Sequence, residues 1–180
     1  MSDSQFDVVV FGATSFVGQI LCQYLFDTYG TDGELKWAAA GRSQDKLEQV
    51  KASLGDAASA LPLITANAND ADSLDALCAQ TRVVVSTVGP YALYGEPMIK
   101  ACVNSGTDYC DLTGEAQWIA DMLEQYEATA KKNGARIVHC CGFDSIPSDM
   151  GVYFLQQQAQ ARFNAPASTV RMRVKVAKGG

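Results

Sequence analysis

Short apolar blocks separated by amphipathic stretches run along most of the chain. The first block, Asp7-Val8-Val9-Val10-Phe11, is continuous rather than alternating and meets Gly12; apolar residues then recur at Val17, Ile20, Leu21, Tyr24 and Leu25. That i, i+3, i+4, i+7, i+8 spacing describes one face of a helix, and the continuous block before it describes a parallel strand covered on both sides. Further strands are predicted over 36–40, 63–66, 82–87, 109–111 and 136–141, with helical stretches over 45–53, 72–79, 96–104 and 115–132. Strands alternating with helices require right-handed crossovers onto an open sheet. The predicted fold class is therefore α/β, a doubly wound, mostly parallel sheet with helices on both faces.

Past about Met150 the pattern changes. Residues 156–160 are polar, 163–168 read as a loop, and Val170, Met172, Val174 and Val176 alternate with Arg171, Arg173 and Lys175. A period of two predicts a strand whose apolar face needs cover. The expected division is a nucleotide-binding domain over 1–150, then a linker helix and the first strand of an incomplete second domain over 151–180. Pairing of this strand with the edge of the main sheet, or with another subunit as a homodimer, is the alternative.

Composition narrows the function. With 180 residues, 48% of them hydrophobic, the chain is long enough for one cored domain and a part of another. A net charge of −6 does not supply the basic stripe that a nucleic-acid partner needs, and no apolar run reaches the length of a membrane span. The first residues carry no positively charged leader, so a soluble, cytoplasmic protein is expected. Its six cysteines, Cys22, Cys78, Cys102, Cys110, Cys140 and Cys141, form no C-x-x-C pair, which predicts buried free thiols and no metal site.

Three segments carry candidate chemistry. Gly12-Ala13-Thr14-Ser15-Phe16-Val17-Gly18 lies between the first strand and the first helix, where a tight turn and unpaired helix-start N–H groups can hold a pyrophosphate. Its spacing differs from the related G-x-x-G-x-x-G pattern in having Ser15 at the middle glycine. After the second strand comes Ala40-Gly41-Arg42-Ser43, with no acidic residue to take the ribose hydroxyls of NAD. Arg42 and Ser43 instead suit a 2′-phosphate, so NADP is the expected cofactor and NAD the alternative. The third segment, Val88-Gly89-Pro90-Tyr91 after the fourth strand, stands where the nicotinamide end of a dinucleotide would lie.

Two further loops fall on the same edge, Leu112-Thr113-Gly114-Glu115 and the stretch 142–149; Glu115, Ser148 and Asp149 read there as helix-start residues. The sole histidine, His139, reads as a packed core residue, since nothing at a fixed spacing supplies an acid to orient it. No tyrosine has a lysine four positions later, and neither G-x-S-x-G nor a P-loop occurs, which disfavours short-chain dehydrogenase, α/β-hydrolase and P-loop chemistry. No catalytic residue is assigned.

Taken in order, the glycine loop, Ala40-Gly41-Arg42, Val88-Gly89-Pro90-Tyr91 with Tyr94-Gly95, Tyr109 to Glu115, and Cys141 to Asp149 resemble the saccharopine dehydrogenase-like oxidoreductases, including their trans-acting enoyl reductase branch. The resemblance implies an N-terminal Rossmann domain that binds NAD(P), a larger α+β domain carrying much of a small-molecule substrate pocket, and an oxidoreductase activity. Members of that family are considerably longer. A non-catalytic NADP-binding sensing or assembly module is the competing reading.

Overall fold

A computed structural model describes residues 4–175. Six strands form one sheet in the order β3-β2-β1-β4-β5-β6, and every pairing is parallel. The strands are β1 (Phe6–Phe11), β2 (Trp37–Gly41), β3 (Leu63–Thr65), β4 (Thr81–Ser86), β5 (Asp108–Asp111) and β6 (Ile137–Val138). Between them run the helices α1 (Phe16–Tyr29), α2 (Gln44–Ser53), α3 (Ala71–Cys78), α4 (Tyr91–Tyr94), α5 (Glu96–Ser105) and α6 (Ala116–Asn133). A last helix, α7 (Ile146–Phe163), follows β6. This is the doubly wound Rossmann-like architecture.

β1 and β4 form on continuous valines, Val8–Val10 and Val83–Val85, and the first three helices start where a side chain caps them. Ser15, Ser43 and Asp70 accept hydrogen bonds from Gly18, Lys46 and Ser73 N–H at the starts of α1, α2 and α3. Alternate residues of the sheet feed two separate cores. On one face Val9, Phe11, Val84 and Tyr109 pack with Leu74 and Leu77 of α3, Met98 and Ile99 of α5, and Trp118 and Met122 of α6. On the other face Val10, Trp37 and Ala39 pack with Cys22 and Leu25 of α1 and Leu47 and Val50 of α2.

That second face departs from the sequence expectation. Of the predicted apolar stripe of α1, Leu25 is buried, but Val17, Ile20 and Tyr24 are exposed, and the buried helix positions are Gly18, Cys22 and Leu25. The helix is rolled so that small residues meet the sheet. Gly18 allows this: a Cβ there would come within 2.2 Å of the Gly12 carbonyl oxygen.

Two boundaries also differ. The strand predicted over 136–141 is paired only at Ile137–Val138, because the chain turns at Cys140, whose φ is +63°. Of the strand predicted over 170–176, residues 170–175 have no ladder partner among the described residues, and Val176 lies outside them. The loop just before it is tied back to α7. Ala167 N–H donates to Gln156 Oε1 at 2.8 Å and Gln156 Nε2 donates to Ala167 O at 3.0 Å. None of the residues of α7 is buried. Among the described residues no helix is long and apolar enough to cross a membrane.

Candidate functional site

The carboxyl ends of β1, β2, β3 and β4 enclose a cavity of about 290 Å³. Its glycine loop is shaped by close backbone approach. Gly12 has φ +93°, and a Cβ there would meet Thr87 Oγ1 at 2.7 Å and Val88 Cγ2 at 2.8 Å. Thr87 Oγ1 donates to the Gly12 carbonyl at 2.9 Å and lies 3.0 Å from Ser15 Oγ, tying the loop to the end of β4. Ser15 Oγ accepts from Gly18 N–H at 2.9 Å, while the N–H groups of Phe16 and Val17 have no intrahelical acceptor. Both residues are exposed at the start of α1.

Thr14 and Ser15 line one wall of this cavity, Gly41 and Arg42 another, and Val88, Gly89 and Tyr94 a third. Arg42 is exposed and, among the described residues, forms no ion pair; no acidic side chain lines the cavity. The fourth wall is the loop after β3, Ala66 to Asn69.

The wall contributed by α4 is held from the side by the β5–α6 loop. Glu115 takes Tyr91 N–H on Oε1 at 2.7 Å and Ala92 N–H on Oε2 at 2.8 Å. The buried Tyr91 donates its hydroxyl to the Ser86 carbonyl at 2.9 Å and lays its ring 5.6 Å from that of Trp118. Burial, more than any neighbour, pushes the Tyr91 phenol up to about 12. Behind Glu115, its own N–H donates to Thr113 Oγ1 at 3.1 Å, and Thr113 N–H donates to Asp111 Oδ1 at 3.1 Å.

Asp111 is 1% exposed and its other oxygen lies 2.7 Å from His139 Nδ1. The expectation that His139 has no orienting acid is therefore corrected: parallel pairing of β5 with β6 puts Cys110 opposite Val138, so Asp111 reaches His139 from 28 residues away. His139 packs edge-on against Trp118 and Tyr109 and does not line the cavity at the glycine loop.

A second, more apolar groove of about 680 Å³ opens beside the first. It is bounded by Val17, Ile20 and Tyr24 of α1, by Val85 and Cys110 of the sheet, and by Phe143 after β6. Burial pushes the Cys110 thiol up to about 12 and raises that of Cys141. All six cysteines are free, with Cys22, Cys78 and Cys102 buried, Cys110 and Cys140 partly so, and Cys141 exposed. The expectation of buried thiols holds for the first three. Among the described residues no cluster of His, Cys, Asp or Glu could hold a metal ion.

Comparison with known proteins gives the arrangement a family. The saccharopine dehydrogenase NADP-binding domain profile matches residues 8–138. The chain belongs to that family. This NADP-binding domain is 42% identical over 158 residues to a Mycobacterium tuberculosis protein named trans-acting enoyl reductase, a match covering 88% of this chain and 37% of the relative. The Mycobacterium leprae protein of the same name is 42% identical over 154 residues, covering 86% and 36%. The chain thus spans well under half the length of these relatives. Among solved structures, Saccharomyces cerevisiae saccharopine dehydrogenase (L-Glu forming) superposes with a TM-score of 0.68 at 19% identity, covering 87% of this chain and 32% of that one. The NADP(H) complex of Citrobacter sp. triphenylmethane reductase gives 0.55 at 16% identity, covering 88% and 55%. These two likenesses show the fold.

Within this NADP-binding domain the residues singled out in the sequence separate into groups. Gly12, Thr14, Ser15, Arg42, Val88 and Gly89 line the glycine-loop cavity. Ala13 is fully buried beneath the loop, Gly18 packs under it, and Phe16 is 81% exposed. Val17 borders the apolar groove, Ser43 caps α2, and Tyr91 braces the α4 turn from within. Pro90 is exposed and follows a cis peptide bond. Sequence reasoning missed Asn67, Ala68, Asn69 and Tyr94 as cavity-lining residues. The signal for the first three was positional: in an open parallel sheet the loop after every strand of the binding half falls on this edge.

Proposed function

We propose that this NADP-binding domain places its cofactor across the cavity at the glycine loop and serves a reductase. In this reading the pyrophosphate rests on the α1 start, with the N–H groups of Phe16 and Val17 and the hydroxyls of Thr14 and Ser15 as donors. Gly12, Ala13 and Gly18 keep the backbone low enough for that approach. Arg42 pairs with the 2′-phosphate, Ser43 adds a hydroxyl, and Asn67 to Asn69 flank the adenine side. Val88, Gly89, Pro90 and Tyr91 form or brace the nicotinamide end. Bound there, NADPH supplies a hydride.

The observation that carries this reading is the charge of the cavity. Arg42 is the one charged side chain among its described lining residues, and no carboxylate stands where a ribose diol would need one. A phosphate is complementary to such a site.

The name of the mycobacterial relatives makes an enoyl double bond the substrate we propose for the whole protein, rather than an amino-acid conjugate of the saccharopine kind. Residues 1–150 are the cofactor domain in this proposal, and 151–180 begin a second domain through which the protein pairs with itself. The exposed Met150, Tyr153, Phe154 and Phe163 of α7 support such a contact. Six free thiols accord with a reducing, cytoplasmic setting.

Calorimetric titration with NADPH and NADH tests the cofactor reading. NADPH is expected to bind more tightly, and Arg42→Ala is expected to weaken it by about tenfold or more while leaving NADH unchanged, the value of a charge-assisted hydrogen bond. Equal binding of both, untouched by Arg42→Ala, removes the role of Arg42; binding of neither removes the cofactor site.

A further inference from the structure

The turn that closes the nicotinamide side cannot hold itself. Helix α4 has four residues, fewer than any isolated helix needs, and its N-cap position is Pro90, which offers no side-chain acceptor. Yet both N–H groups at its start are satisfied, and both by one side chain from the next crossover, Glu115. A carboxylate taking two successive amide protons fixes direction as well as distance.

Glu115 is in turn fixed from behind. Thr113, 2% exposed, accepts from the Glu115 N–H, and Asp111, 1% exposed, accepts from the N–H groups of Thr113 and Cys140 and contacts His139. One turn into α6, Trp118 lies against Tyr91 and so close to Gly95 that a Cβ there would come within 2.5 Å of its ring. Trp118 thus packs Gly95 past the far end of α4, and at its beginning the Tyr91 side chain is held by Trp118 and the Ser86 carbonyl, while the Tyr91 and Ala92 N–H groups are taken by Glu115.

From this we infer that Glu115 is the positioning residue of the cofactor pocket: it touches no lining atom of the cavity, but sets the turn that presents Gly89 and Tyr94 to the nicotinamide half. The inference rests on the cofactor reading above. It makes a split that a general loss of stability does not make, because the adenine half is bound by Arg42 and the loop after β3, which Glu115 does not contact.

The test uses the full chain and two probes, NADPH and adenosine 2′,5′-bisphosphate, which carries only the adenine half. Glu115→Ala is expected to weaken NADPH by about tenfold and to leave the bisphosphate within about twofold. Glu115→Gln, keeping one carbonyl acceptor, should fall between, and added acetate should recover part of the NADPH affinity of Glu115→Ala without affecting wild type. Hydrogen exchange at the Tyr91 and Ala92 amides reads the clamp with no cofactor present, and is expected to accelerate in Glu115→Ala. Equal weakening of both probes, unchanged NADPH binding, or unchanged exchange at the two amides overturns the inference. Failure of wild type to bind either probe would instead remove the cofactor reading on which it stands, a result that the Glu115 variants cannot imitate.

Discussion

The two faces of the sheet are finished to different degrees. Under α3, α5 and α6 a single core runs from β2 to β5, with Ala38, Val9, Val84, Tyr109, Leu74 and Met98 all at or below 1% exposure. Under α1 and α2 the core stops at β1, and the row Val85, Cys110 and Val138, in register across β4, β5 and β6, joins neither core. Val138 is 52% exposed. The cause is topological rather than compositional. In a sheet ordered 3-2-1-4-5-6, right-handed crossovers that step from β1 towards β3 place helices on one face, and those that step from β3 towards β6 place them on the other. No crossover covers β4 to β6 on the first face. The apolar stripe of α1 borders that gap, which is why Val17, Ile20 and Tyr24 are exposed though their spacing reads as a buried face.

If the contrast is right, truncations on the two faces should differ several-fold. Leu74→Ala, in the closed core, is expected to cost about 2–5 kcal/mol in a denaturant titration; a cost below about 1 kcal/mol would mean that core is not packed as described. Gly18→Ala comes next, at about 1–3 kcal/mol by overpacking against the Gly12 carbonyl, with loss of NADPH binding in the same calorimeter. On the open face Val138→Ala should change stability by no more than about 0.5 kcal/mol, and a larger loss would show that something covers it.

The smallest effect concerns the sheet edge, where Arg136 holds the Asp108 carboxyl below its ordinary value of 3.8 by side-chain and backbone hydrogen bonds. Because the folded value is depressed, the stabilisation is complete above the unfolded value and is lost as pH falls through the folded one. Asp108→Asn should therefore lower the melting temperature by about a degree or two at pH 7, and by progressively less as pH falls below 3.8, since exposed pairs contribute little.

Much of this molecule can be read along the chain. Continuous runs such as Asp7 to Phe11 and Arg82 to Thr87 mark β1 and β4 within a residue; for β1, with Val9 in one core and Val10 in the other, a strand buried on both sides admits little else. The glycine loop is legible for the same local reason. What is not legible is set by register. Asp111 meets His139, and Glu115 meets Tyr91, only once β4, β5 and β6 lie side by side, so no spacing along the sequence announces either contact. Residues 170–175 fail in the opposite way: the alternation is there, but a ladder needs a neighbouring strand, and among the described residues the segment has none.

Each core also contains a single tryptophan, and the chain has only these two. Trp37 sits in the α1–α2 core with its indole N–H donated to the Gly30 carbonyl, whereas Trp118 sits in the other beside Tyr91 and His139 with its indole nitrogen unpartnered. The protein therefore carries two built-in optical probes of unlike surroundings. In Trp37→Phe the remaining emission follows the closed core and the α4 turn, and in Trp118→Phe it follows the half-covered face, so that a single fluorescence cell can time the loss of one side of the sheet against the other.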